Sequence, residues 1–133
     1  MLVSCVVPLY NLGHVLPEAV HSLTGQTYRK LEIIIVNDGS TDDSGVVADR
    51  LATEDQRVRV IHQENQGLPG ALNVGFSKAR GKVFNILSAD DLLHPESITK
   101  KVELMQQTGA DVVNEDMAIN GESLYYTHRS ARP

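Results

Sequence analysis

Val83-Phe84-Asn85-Ile86-Leu87-Ser88-Ala89-Asp90-Asp91 joins a short apolar run to two adjacent carboxylates. The first five residues predict a short, buried, central strand. Small Ser88 and Ala89 follow, so the acids sit just past the strand's carboxyl end, where an open parallel sheet binds its ligands. Two unit charges about 4 Å apart repel by about 4 kcal/mol at an effective dielectric of about 20. A divalent cation would offset that repulsion, and oxygen ligands suit Mg²⁺ or Mn²⁺. The same acids also fit solvated loop positions, with Asp91 leading into a helix that starts near Pro95. The neighbouring segments have to separate the two readings.

Immediately upstream, residues 69–79 predict a helix that Gly81 stops. A polar, glycine-containing loop over residues 63–70 precedes it, and residues 58–61 predict a short strand. Further back, Leu31-Glu32-Ile33-Ile34-Ile35-Val36 is rich in β-branched residues and predicts a strand. It runs into Asn37-Asp38-Gly39-Ser40-Thr41-Asp42, a dense turn signal. Asp42 or Ser40 could cap the next helix, whose apolar face would be Val46, Val47 and Leu51 with Ala48 beside them. At the start, residues 2–7 predict a buried strand ended by Pro8, and Tyr10-Asn11-Leu12-Gly13 a turn. Residues 14–25 then carry Val15, Leu16, Ala19, Val20 and Leu23 at helical spacing, with Pro17 suited to a first turn.

Downstream of the acids, residues 95–108 predict a helix with Ile98, Val102 and Met105 on one face, Leu104 beside them and Gly109 at its end. Residues 111–114 predict a strand. Asn120-Gly121 is the strongest hairpin signal in the chain, so short strands should flank it. Residues 128–133 show no pattern. Apolar strands alternating with amphipathic helices argue a single α/β domain over residues 1–133, with a mostly parallel sheet covered on both faces.

Composition narrows the function. The chain has 133 residues, 41% of them hydrophobic and 22% charged, as in an ordinary globular domain. A formal charge of −5 and the absence of Trp argue against nucleic-acid binding, which needs basic patches and stacking surfaces. The single cysteine, Cys5, lies in an apolar run and reads as a buried structural thiol. No apolar run approaches the roughly 18 residues of a membrane span, and the first residues lack a basic leader pattern. A reducing cytoplasm fits these features. No G-x-G-x-x-G or Walker lysine motif follows the first strand, which counts against a nicotinamide dehydrogenase and a phosphate-loop ATPase. The five histidines have no zinc-type spacing.

In a parallel sheet, the loops over residues 8–13, 37–42 and 88–91 project from one carboxyl edge. Asp38 offers an acceptor pair that could take the imide N–H of a uracil-like base, and Gly39 and Ser40 permit close backbone approach. Taken alone, Asn-Asp-Gly-Ser is better accounted for by turn chemistry. His94 could reach Asp91 or serve as a capping residue. Lys78 and Arg80 suit a helix dipole, and could also face a diphosphate.

Taken together, the segments resemble the family 2 glycosyltransferases, which have the GT-A nucleotide-sugar fold, a Rossmann-like α/β architecture. The resemblance rests on Val3-Ser4-Cys5-Val6-Val7-Pro8-Leu9-Tyr10-Asn11, Ser22-Leu23-Thr24-Gly25-Gln26-Thr27-Tyr28 and Leu31 through Asp42. It continues through Asn65-Gln66-Gly67, Ala71-Leu72-Asn73-Val74-Gly75, Ala79-Arg80-Gly81 and Ser88-Ala89-Asp90-Asp91. The ordered set is specific where no single motif is. It implies that Pro8 and Tyr10 line the nucleotide pocket and that Asp38 binds the base. Asp90 would lie near the ribose or sugar. Asp91, with Asp90, would hold the Mn²⁺ or Mg²⁺ that bridges the donor diphosphate, and Arg80 would lie near the phosphates.

Ser88 stands where many members carry an acid, so one expected metal ligand is absent. The resemblance also implies an acceptor half and a general base beyond residue 133; Glu115, Asp116 and Glu122 lie in no recognisable motif. The expectation is therefore the donor-binding portion of an inverting glycosyltransferase using a nucleotide-diphosphate sugar, UDP-linked, on a carbohydrate or lipid-linked acceptor. Membrane contact, peripheral at the inner face, would come only through parts outside this chain. A nucleotide-sugar-binding module without turnover is the alternative. A nucleotidyltransferase is a weaker third, because residues 8–13 lack a glycine- and arginine-rich phosphate loop.

Overall fold

The computed structural model describes residues 1–117 and 123–128, and the side chains of residues 1–114. The elements are β1 (Val3–Leu9), α1 (Leu16–Thr24), β2 (Leu31–Asp38), α2 (Ser44–Glu54), β3 (Val58–Gln63), α3 (Gly67–Lys78), β4 (Val83–Ile86), α4 (Ser97–Thr108), β5 (Val112–Met117) and β6 (Ser123–His128). The first four strands form a parallel sheet in the order β3-β2-β1-β4, and β5 and β6 form an antiparallel pair. The predicted α/β architecture with a mostly parallel sheet is the one observed. The Asn120-Gly121 turn lies outside the described residues. No helix among those described is long and apolar enough to cross a membrane.

Strand periodicity sorts the core into two layers. Val3, Cys5 and Val7 of β1 align with Leu31, Ile33 and Ile35 of β2. They pack on one face with Leu16, Ala19, Val20 and Leu23 of α1, Val47, Ala48 and Leu51 of α2, and Ile98 and Val102 of α4. Val6, Ile34 and Val36 point to the other face, where α3 presents Ala71. All eight residues of β2 are buried, as expected of an interior strand covered on both sides. α3 lies close to the sheet: a Cβ on Gly75 would collide with Cγ1 of Val6.

Several boundaries differ from the sequence expectation. Pro8 does not end β1. Val6 and Pro8 face the same neighbour, and the Val6 carbonyl accepts the Leu87 N–H on the β4 side. β4 has ended at Ile86, so the N–H that proline lacks has no ladder partner to lose. Asn37 and Asp38 are the last residues of β2, paired with His62 and Gln63 of β3, and the turn starts only at Gly39. Val46 is 72% exposed, because helical spacing from Val47, Ala48 and Leu51 selects Ser44 for the buried face. Neither Ser40 nor Asp42 is the N-cap of α2; that position is Asp43, while Asp42 Oδ1 accepts the Ser44 N–H at 2.9 Å. α3 ends at Lys78, and Ala79 is already extended. Gly81 instead lets the chain pass over β1, where a Cβ would sit 2.5 Å from Ser4 Oγ and 2.7 Å from Leu2 O. Gly109 ends α4 in the left-handed conformation, as its position predicted.

The largest correction concerns β4. It is the outer strand of the described sheet, and Phe84 and Ile86 are half exposed on the α3 face. α3 covers β1 and β2 and touches β4 through the tilted pair Phe76–Phe84, whose centroids are 5.5 Å apart.

Candidate functional site

Parallel pairing sends the carboxyl ends of β1, β2 and β4 to one edge, where the loops after β1 and β2 are stitched together. Asn11, at φ 52°, occupies the left-handed region, which asparagine tolerates better than most residues. Its N–H donates to Ser40 Oγ at 3.0 Å, and its Oδ1 accepts the Thr41 N–H at 2.8 Å. The Gly13 N–H donates to Ser44 Oγ at 2.8 Å. The β1–α1 and β2–α2 loops are thus one unit. The hydroxyl and N–H of Ser44 hold the Asp42 carboxyl below the usual carboxylate range.

Asp38 anchors the second half of the edge. It is only 4% exposed. Its Oδ1 accepts Gln63 Nε2 at 2.9 Å and the Gln66 N–H at 2.8 Å, and its carbonyl accepts Asn65 Nδ2 at 3.1 Å. Gln66 is the N-cap of α3, so the carboxylate also satisfies an N–H at the positive end of that helix. Gly39 makes the contact feasible: at φ 72° it brings the backbone so close to Asn65 that a Cβ would lie 2.6 Å from the Asn65 nitrogen.

Between these loops lies a cleft of about 440 Å³, within the usual range for small-molecule sites. Pro8 and Tyr10 form one wall, Asp38 and Asn65 another, the first turns of α3 a third, and Ser88, Ala89 and Asp90 the fourth. Four predicted residues, Pro8, Tyr10, Asp38 and Asp90, are therefore brought together. Asp91 follows in the same tight turn, closed by its N–H donating to the Ser88 carbonyl at 3.0 Å, and both acids are exposed.

Arg80 is not at this edge. It precedes β4 at the opposite, amino end of the sheet, where its N–H and Nε donate to Glu32 of β2. His94 uses Nδ1 to accept the Glu96 N–H, the capping alternative. Asn65 lines the cleft and Gln63 holds Asp38, and periodicity missed both. The sequence pattern puts Gln63 in a loop, but it is the last residue of β3 and stands in register with Asp38; only strand register reveals that pairing.

Among the described residues, no three His, Cys, Asp or Glu side chains converge as a metal cage. Asp90 and Asp91 supply two exposed carboxylates in one turn. That donor set fits an ion held by one or two carboxylates and completed by phosphate and water oxygens, the usual mode for Mg²⁺.

An edge assembled in this way is that of a GT-A-type α/β domain. The chain matches the model of glycosyl transferase family 2 over residues 4–132 and belongs to that family. It is 45% identical over 113 residues to the glycosyltransferase GlyG of Streptococcus pneumoniae serotype 4, covering 84% of this chain and 38% of GlyG. The chain thus spans well under half of that relative. Among solved structures, TarS residues 1–349 of S. aureus in complex with UDP superposes with a TM-score of 0.76 at 25% identity, over 85% of this chain and 34% of that one. The mannosyltransferase PcManGT of Pyrobaculum calidifontis, in complex with GDP-Man and Mn²⁺, gives 0.73 at 27% identity, over 77% of this chain and 32% of that one.

Proposed function

We propose that this chain forms the donor site of a glycosyltransferase that moves a sugar from a UDP-linked donor to a carbohydrate or lipid-linked acceptor, with inversion. The observation that carries this reading is the buried Asp38 carboxylate in a cleft that Ser88, Ala89 and Asp90 also line, with Asp91 the next residue of that turn. A base fits the Asp38 side, Pro8 and Tyr10 flank it, and a divalent ion at the acidic turn would receive the diphosphate, which the bare carboxylates would repel. UDP in TarS and GDP-Man with Mn²⁺ in PcManGT support a nucleotide-sugar donor and a divalent ion.

Asp91 and Asp90 would hold the ion. When bound, it would offset the charge that builds on the departing diphosphate. Asp38 orients the base, and the stitched β1–α1 and β2–α2 loops fix the wall against which the base lies. Inversion by direct displacement needs a base on the acceptor hydroxyl, a role assigned here to no residue of this chain. A nucleotide-sugar-binding module without its own turnover is the second reading.

Calorimetric titration of UDP, with and without Mn²⁺, tests the proposal. Asp91→Ala is expected to remove the ion-dependent part of binding. Asp38→Ala is expected to weaken binding by about tenfold or more with or without the ion, the scale of a lost hydrogen bond to a charged group. Both variants binding as the parent does would show that this edge is not the site. Transfer or hydrolysis of a UDP-sugar separates enzyme from module.

A further inference from the structure

The two oxygens of Asp38 are not equivalent. Oδ1 takes both the Gln63 side-chain amide and the Gln66 N–H. Oδ2 takes no hydrogen bond among the described residues, and Asp38 lines the cleft. We infer that Gln63 and the Gln66 N–H form a clamp that dedicates Oδ1 to the protein and leaves Oδ2 as the single atom that reads the base, with Gln63 as a positioning residue. This rests on the nucleotide-donor reading above and deepens it.

The chemistry of a single acceptor is selective. Uracil and thymine present one imide N–H between two carbonyls, which matches a single oxygen. Cytosine presents a bare ring nitrogen at that position, so acceptor would face acceptor. Guanine presents two adjacent N–H groups and would need both carboxylate oxygens, one of which the clamp has taken. A site built around one acceptor rejects the partner that leaves it unpaired, because a buried polar group without a partner is costly.

The clamp makes an unusual forecast for Asp38→Asn. Its two N–H donors dictate which way the new amide turns: oxygen toward Gln63 and Gln66, NH₂ toward the cleft. The reading atom then becomes a donor. In titrations of UDP and CDP with Mn²⁺ present, the parent is expected to favour UDP by at least about tenfold. Asp38→Asn should abolish or reverse that ratio. Gln63→Leu should lower the ratio about threefold or more, and Gln63→Lys, which restores an N–H donor, should recover it. A purely structural role for Gln63 would weaken both nucleotides alike and leave the ratio unmoved.

Thermal melts of each variant identify any that fail to fold; if Asp38→Asn does, the Gln63 pair decides. An unchanged UDP-to-CDP ratio in folded Asp38→Asn, or in folded Gln63→Leu, from a parent that binds UDP, overturns the clamp. A parent that binds neither nucleotide overturns the donor reading itself, and the clamp with it.

Discussion

Single side chains at this sheet edge do work that their residue type only hints at. Asn11 combines a left-handed backbone with hydrogen bonds to Ser40 and Thr41. Asn11→Ala should cost about 1–3 kcal/mol, since it strains the backbone and removes the side-chain bonds; urea unfolding at neutral pH would measure it. Gly81→Ala should cost a similar amount, because its Cβ would meet the Leu2 carbonyl and Ser4 of β1 with no flexible chain end to give way. Cys5 is fully buried, and burial pushes its thiol up to about 12, with Lys101 a smaller opposing influence. It should resist iodoacetamide at pH 8 in the native protein and react on unfolding. The thiol's burial was legible from its apolar surroundings in the sequence. The partnership of Gln63 with Asp38 was not, because residues 25 positions apart meet only through register.

At the scale of elements, hydrophobic runs located the strands, and neighbours decided their place. Five mostly apolar residues predicted a central β4, yet Phe84 and Ile86 are half exposed because α3 lies over β1 and β2. Ile86→Thr is therefore expected to change stability by less than about 0.5 kcal/mol. The corresponding cut in the interior strand, Ile34→Ala, should cost about 2–5 kcal/mol. Chemical denaturation of the two variants compares the strands directly, and equal costs would contradict the observed sheet order. The same logic explains Val46. Its apolar character suggested a core position, and helix geometry turned it outward.

Over the whole molecule, the two ends of the sheet carry different chemistry. The carboxyl edge holds the cleft, while the amino edge holds a buried carboxylate network. Glu32, on β2, accepts the Ser4 hydroxyl at 2.6 Å and the Arg80 N–H and guanidinium, with Arg59 nearby. Burial alone would raise its carboxyl, but the hydrogen bonds from Ser4 and Arg80 and the charge of Arg59 outweigh it and hold the group below its ordinary value of 4.5. Asp55 is held down to about 2, chiefly by the Arg57 guanidinium. A carboxyl whose folded value is depressed stabilises the fold above its unfolded value, and that contribution disappears as pH falls through the folded one. Urea midpoints should therefore hold steady from pH 7 to about 5 and fall steadily between about pH 4.5 and 2. Glu32→Gln should lower the midpoint at pH 7 and flatten the fall. Residue order alone was enough for the alternation of strands and helices, the α/β class, the family resemblance and three of the loops that meet at the carboxyl edge. These follow from local hydrophobic period and short motifs, which need no knowledge of distant neighbours. The outer position of β4, the pairing of Arg80 with Glu32 and the dedication of one Asp38 oxygen were decided only by tertiary structure. Each depends on which strands lie side by side and in what register, and that is set by packing across the whole sheet.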